Sequence, residues 1–96
     1  MIDISDFKQS IIDRRLPDGL TLYLKSLWHD GAGNWKLAHD LIDELTDKQS
    51  AHIHAYLHRK EGDIWNADYW YNRAGKTRPQ VSLEEEWEML VIEYSK

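Results

Sequence analysis

The sequence predicts an all-α protein, built as a compact bundle of five or six helices. Apolar residues recur every three or four positions through most of the chain, which is the spacing of one face of an α-helix. Both prolines and four of the five glycines lie between these periodic stretches or at their ends, where such residues begin and end helices. No stretch alternates apolar and polar residues for long enough to indicate a β-strand.

Three helices are predicted in the first half of the chain. The first covers about 6–15, with Ser5 as its N-cap, and a Leu-Pro-Asp-Gly sequence ends it. The second covers about 19–30 and ends at a Gly-Ala-Gly turn. The third covers about 35–46 and follows Asn34, whose side chain can cap it. The short breaks between them predict antiparallel neighbours.

Three more helices are predicted in the second half. The fourth covers about 49–60, and the fifth covers about 64–75 with Asp63 as its N-cap. The last helix covers about 82–95 and opens with a capping box, in which Ser82 is followed three residues later by a glutamate. Its acidic first turn also complements the positive end of the helix dipole.

The composition is that of one folded, soluble domain covering residues 1–96. Hydrophobic residues make up 42% of the chain and charged residues 30%, the balance of a globular protein. The absence of cysteine excludes disulfides, thiolate nucleophiles and cysteine-ligated zinc. The N-terminus lacks a basic secretory signal and no apolar stretch is long enough to cross a bilayer, so we expect a cytoplasmic protein without membrane contact. The net charge of −5 argues against a nucleic-acid partner.

The chain also contains an internal similarity at a shift of 29 residues, which aligns Gly33-Asn34 with Gly62-Asp63 and Ala38 with Ala67. Residues 51–79 resemble a tetratricopeptide repeat, a hairpin of two antiparallel helices with a sparse signature of small, aromatic and proline positions. The signature's large apolar residues in the first helix are replaced. The corresponding positions are Ala51, His54-Ala55, His58, Ala67, Tyr71, Ala74 and Pro79.

This resemblance implies tetratricopeptide-like antiparallel hairpins capped by terminal helices. The degenerate repeat units would cover about 19–47 and 48–81, followed by a C-terminal capping helix at about 82–95. Ala55 and Ala67 would then meet, because two helices that cross closely need short side chains at the contact.

A second resemblance concerns a longer run of residues. This run is similar to a family of short stand-alone bacterial proteins of unassigned function. The resemblance implies a cytoplasmic, bacterial protein without implying a mechanism. The residues that carry it are Ile53-His54-Ala55-Tyr56-Leu57-His58-Arg59-Lys60-Glu61-Gly62-Asp63, Asn66-Ala67 and Tyr69-Trp70-Tyr71-Asn72-Arg73-Ala74.

Histidines of the fourth helix are the candidates for chemistry. His54, His58 and Glu61 fall on one arc of that helix, between its apolar positions, so the arc is predicted to be buried and its polar atoms hydrogen-bonded. Imidazoles one turn apart can bind one metal ion or act as an acid–base pair, with His39 of the third helix as a further member. The alternative is that the histidines are hydrogen-bonded core residues, as polar residues inside folds usually are.

Two faces are candidates for binding, because aromatic residues and arginine are enriched where proteins bind one another. One lies on the fifth helix and the other on the fourth. Their residues are Trp65, Tyr69 and Arg73 on the fifth helix, and His52, Tyr56 and Arg59 on the fourth.

The sequence therefore favours a small helical interaction module that binds a protein, a peptide or its own copy through one of these faces, with no cofactor. The alternative is a small-molecule or metal-dependent enzyme centred on the histidines and Glu61. An open polar pocket around the histidines would favour the enzyme, and a closed hydrogen-bonded core would favour the module.

Overall fold

Six helices make up the computed structural model, which describes residues 2–96. No strand occurs within that range, so the predicted all-α fold of five or six helices is confirmed. None of these helices has the length and hydrophobicity needed to span a bilayer. The helices are α1 (Ile4–Ile12), α2 (Leu22–Gly31), α3 (Trp35–Ile42), α4 (Lys48–Lys60), α5 (Ile64–Ala74) and α6 (Leu83–Tyr94).

The N-caps of three helices are confirmed. The side-chain oxygens of Asn34, Asp63 and Ser82 each accept a hydrogen bond from a backbone N–H group in the first turn of the following helix. The prediction for α1 is wrong, because Asp3 rather than Ser5 caps that helix. The carboxylate of Asp3 accepts hydrogen bonds from two backbone N–H groups, at 2.8 and 3.2 Å, so α1 begins earlier.

Three other predicted helix boundaries also differ from the observed ones. The first helix ends at Ile12 rather than near residue 15, and Arg14 then adopts a left-handed backbone conformation with φ of 58°. The second begins at Leu22 rather than near residue 19, because Thr21 is its N-cap. The third ends at Ile42 rather than near residue 46. Helix periodicity marks the interior of an element better than its ends.

The helices pair into two hairpins, with α4 at the centre of the molecule. Residues 32–34 join α2 to α3, and residues 61–63 join α4 to α5, and connections this short place the paired helices antiparallel. Helix α4 also lies against α2, α3 and α6. Within residues 2–96, α5 packs closely against α4, and it reaches α6 through the Tyr71 hydroxyl group, which donates to Glu86.

Small residues line the contact between α4 and α5. Ala55 and Ala67 are fully buried there and share a cluster with Tyr71, as the sequence predicted. A larger cluster fills the space between the other helices. Its members include Phe7 of α1, Leu27 of α2, Ile42 of α3, Leu57 of α4 and Leu90 of α6.

Candidate functional site

Three imidazole rings meet where α3 packs against α4. His39 of α3 and His54 and His58 of α4 each place one ring nitrogen within 4.8 Å of the others. The Nε2 atoms of His39 and His54 are 3.0 Å apart, a hydrogen-bonding distance. The ring centroids of His54 and His58 are 4.7 Å apart, and those of His39 and His58 are 5.3 Å apart. The structure thus brings together all three candidate histidines, here called the histidine cluster.

The inner part of the histidine cluster is buried, as predicted. His54 is 5% exposed and His58 is 7% exposed, whereas the side chain of His39 is 21% exposed. His54 and His58 are one turn apart on α4, so both rings project from the same side of the helix. Each of the two also makes the predicted hydrogen bond inside the protein, and the partners are His39 for His54 and Glu61 for His58. The open side of the cluster is therefore the edge of His39.

Two tryptophans cover the histidine cluster, and sequence reasoning did not identify them. The indole of Trp35 stacks on His39 at a centroid distance of 4.9 Å, and that of Trp70 stacks on His54 at 4.0 Å. Trp35 also donates a hydrogen bond from Nε1 to the backbone carbonyl of Leu57 at 2.8 Å. The spacing of four residues between Trp35 and His39 in one helix was the available signal for their contact.

Glu61 lies behind the cluster rather than inside it. Its Oε1 atom is 2.6 Å from Nδ1 of His58, so the carboxylate contacts the ring nitrogen opposite Nε2. His39 has a related environment, since its Nδ1 atom is 3.8 Å from the carboxylate of Asp43 and 4.0 Å from that of Asp40. The prediction that Glu61 is buried with the two histidines is wrong, because 38% of its side chain is exposed at the C-terminal end of α4.

Burial first, and then the neighbouring His39 and His58, lower the pKa of His54 from 6.5 to about 3. The protonated imidazole is disfavoured because burial removes the water that would solvate its charge. His54 is therefore neutral near neutral pH. A general base works best with a pKa near the operating pH, so His54 does not fit that role.

The second candidate face, on α4, is not open to a partner. Tyr56 is 2% exposed, and its hydroxyl group donates to the buried carboxylate of Asp30 at 2.8 Å. His52 Nδ1 is 2.7 Å from the hydroxyl oxygen of Tyr94, and burial lowers the pKa of this histidine to about 4. These residues contact α2 and α6, because α4 is covered on that side as well.

Arg59, the third residue of that face, belongs to a buried ionic network. Its Nη1 atom donates to the carboxylate of Glu86 at 2.8 Å, and its Nη2 atom donates to the carbonyl of Val81. Glu86 is 1% exposed and also accepts a hydrogen bond from the Tyr71 hydroxyl at 2.6 Å. The His52, Tyr56 and Arg59 set thus connects α4 to its neighbours inside the bundle.

The candidate face on α5 is open to solvent. Trp65 is 81% exposed and Tyr69, one turn further along, is 47% exposed. The guanidinium group of Arg73 lies 5.1 Å from the ring centre of Trp70, and its Nη1 atom donates to the Tyr69 hydroxyl at 3.3 Å. A shallow depression of about 330 Å³ is lined by Trp65, Tyr69, Asp68 and Asn72. We call the face formed by Trp65, Tyr69 and Arg73 the α5 face.

Comparisons with known proteins give no match to this chain. A scan against protein-family models, a search of curated proteins and a search of solved structures each find no match to the chain. The functional inferences below therefore depend on the geometry of the chain's own residues.

Proposed function

We propose that this protein is a small helical interaction module that pairs with a second copy of itself through the α5 face. The observation that carries the proposal is the exposure of Trp65, 81% of whose surface is open to solvent, beside the half-exposed ring of Tyr69. Burying most of an indole of about 200 Å² contributes on the order of 4 kcal/mol before the costs of association. A helix from another molecule would supply that burial.

The position of α5 supports this surface as the contact. Helical hairpins in stacked arrangements bury their outer faces against the next unit. In the described part of the chain α4 is the helix packed closely against α5, and the exposed rings of Trp65 and Tyr69 on the opposite side have no helix over them. A partner helix packed there would take the position of the next helix in such a stack.

The charge distribution along α5 favours a second copy as the partner. Glu61 and Asp63 lie at the N-terminal end of the helix, and Arg73 and Lys76 lie at its C-terminal end. Two copies of α5 packed antiparallel therefore place each acidic end near the basic end of the other. The same arrangement aligns the helix dipoles favourably and forms a closed two-fold dimer.

The aromatic residues match this two-fold arrangement. Trp65 and Tyr69 are separated by one helical turn, so an axis passing between them sets Trp65 of one copy against Tyr69 of the other. Helix α5 has 11 residues and is therefore about 16 Å long, which limits the contact to the small end of the range for specific interfaces. We expect reversible association with a dissociation constant in the micromolar range rather than an obligate dimer.

The histidine cluster bears on the alternative function, an enzyme centred on its imidazoles. Its two inner rings are buried and stacked against Trp70 and each other, which is a closed polar core rather than an open substrate pocket. This closure supports the interaction module over the enzyme.

The test is sedimentation velocity over a series of protein concentrations, with the wild type compared to a Trp65→Ser, Tyr69→Ser variant. The wild type should pass from monomer to dimer, and the variant should remain monomeric, with an unchanged melting temperature at concentrations where the wild type is also monomeric. Ile12→Ser is the matched control, because Ile12 is a large apolar residue, 71% exposed, on α1. Its association should equal that of the wild type.

Two outcomes would refute the proposal. A wild-type protein that remains monomeric at every concentration would show that the α5 face does not bind a second copy. A variant that melts well below the wild type, at a concentration where both are monomeric, would show that the two aromatics stabilise the monomer instead.

A further inference from the structure

We propose that the histidine cluster is a binding site for a divalent transition-metal ion, with Zn²⁺ as the representative ion. The ligands are His39 of α3 and His54 and His58 of α4. This inference goes beyond the interaction module and does not depend on the α5 face.

The spacing of the ring nitrogens fits an ion after a small adjustment. Two nitrogens bound to tetrahedral zinc at about 2.0–2.1 Å lie about 3.3 Å from each other. The Nε2 atoms of His39 and His54 are 3.0 Å apart, and the nitrogen of His58 lies within 4.8 Å of both. A shift of at most about 1.5 Å in the His58 ring, the difference between 4.8 and 3.3 Å, brings all three nitrogens to the spacing that zinc ligands require.

Carboxylates behind the rings support the assignment. Ligand histidines usually place their second ring nitrogen against a carboxylate, which fixes the tautomer and strengthens the ligand nitrogen. Glu61 is 2.6 Å from Nδ1 of His58, so the nitrogen that an ion would bind is Nε2, which lies 3.5 Å from the side-chain amide nitrogen of Asn66 and would exchange that contact for the ion. Asp43 lies 3.8 Å from Nδ1 of His39, whose Nε2 atom faces His54. Two of the three ligands thus carry an acidic group on the side away from the site.

The donor set also selects the class of ion. Imidazole nitrogens bind zinc, nickel and copper well, whereas magnesium and calcium prefer oxygen ligands. The indoles of Trp35 and Trp70 shield the three ligand rings from water on two sides. The partly exposed edge of His39 leaves a route for the ion and for a solvent ligand that completes its coordination.

Such an ion would connect two hairpins. His39 belongs to the α2–α3 hairpin and the other two ligands belong to the α4–α5 hairpin, so the bound ion holds α3 against α4. The inner rings are closed in by Trp70 and by each other, so the role inferred for the ion is to hold the two hairpins together.

The experiment is titration of chelator-treated, dialysed protein with Zn²⁺ by calorimetry, with Co²⁺ as a spectroscopic probe. The wild type should bind one Zn²⁺ per chain, and Co²⁺ should gain the strong visible absorption of a site with fewer than six ligands. His39→Asn removes the most exposed ligand, so the fold should survive while stoichiometric binding and the Co²⁺ absorption are lost. Glu61→Gln should weaken binding by about 10- to 100-fold with the Co²⁺ spectrum retained, because Glu61 is a positioning residue.

His29→Gln is the matched control, since it also removes one partly buried histidine but lies on α2 outside the cluster. This variant should bind Zn²⁺ as the wild type does. The proposal is overturned if the folded wild type binds no stoichiometric Zn²⁺. It is equally overturned if His39→Asn binds as tightly as the wild type, or if His29→Gln loses binding to the same extent, because either result assigns the ion to other groups.

Discussion

Replacing Glu86 with glutamine is expected to lower the free energy of unfolding by about 3–5 kcal/mol. The carboxylate of Glu86 is 1% exposed and is the anion for Arg59, whose side chain is 15% exposed. It also accepts a hydrogen bond from the hydroxyl group of Tyr71, and burial raises the pKa of that hydroxyl above its usual value. Glutamine retains the shape but leaves the guanidinium group buried without an anion. The amide oxygen can still accept one of the two hydrogen bonds, so the loss of the other contributes about 1.5–3 kcal/mol and the unpaired guanidinium group contributes the rest.

The assay is urea unfolding followed by far-ultraviolet circular dichroism. A domain of this size unfolds with a free energy of about 5–15 kcal/mol, so the expected loss moves the midpoint clearly. A triple variant, Arg59→Met with Tyr71→Phe and Glu86→Leu, removes the charges and the hydroxyl group together. It should recover most of the loss, because apolar side chains of similar volume replace a buried ion pair at little cost.

The reasoning would be refuted in either of two ways. A Glu86→Gln variant within about 1 kcal/mol of the wild type would mean that water already screens the pair. A triple variant that is as unstable as the sum of its single variants would mean that the three groups do not act as a unit.

Two further predictions concern the α4–α5 contact and the pH dependence of stability. Ala67→Leu should lower the unfolding free energy by about 1–3 kcal/mol, because the alanine is fully buried between the helices, and unchanged thermal melting would contradict that packing. His52 has a pKa of about 4 in the fold, lowered first by burial and then by the positive charge of Lys76, against 6.5 unfolded. Between these values the unfolded chain binds a proton that the folded chain does not. The stability that depends on a neutral His52 is therefore fully present above pH 6.5 and is lost as the pH falls, by about 2–3 kcal/mol at pH 4.5. In urea titrations made without added metal, the free energy of unfolding of the His52→Gln variant should fall less than that of the wild type between about pH 7.5 and 4.5, by this amount. An equal fall in the two proteins would contradict the low pKa of His52.

The helices of this fold were predictable because each has an apolar stripe and polar ends, which are local properties of the chain. Asn34, Asp63 and Ser82 are N-caps in the structure because capping depends on residues within one turn. The start of α1 was mispredicted because Asp3 and Ser5 are both good caps in the same short segment. Local preference alone does not decide between two such residues.

The candidate site was predictable only in part, because it depends on contacts between helices. Burial of His54 and His58 followed from their position between apolar residues on one helix. The burial of Tyr56 did not, because helical periodicity assumes one solvent-facing side, and α4 has almost none. The stacking of Trp70 on His54 requires the relative placement of α4 and α5, which residue spacing does not specify.

The polar side chains of α4 have a consequence for how precisely the bundle assembles. Apolar residues tolerate sliding of one helix along another, since a neighbouring groove offers a similar contact. Along α4, by contrast, Tyr56 bonds to Asp30, Arg59 bonds to Glu86, and His54 bonds to His39. A displacement of α4 by one turn, about 5.4 Å, would break all of these bonds at once and leave each buried group unpaired. The helix at the centre of the protein therefore sets a single axial register for the helices around it.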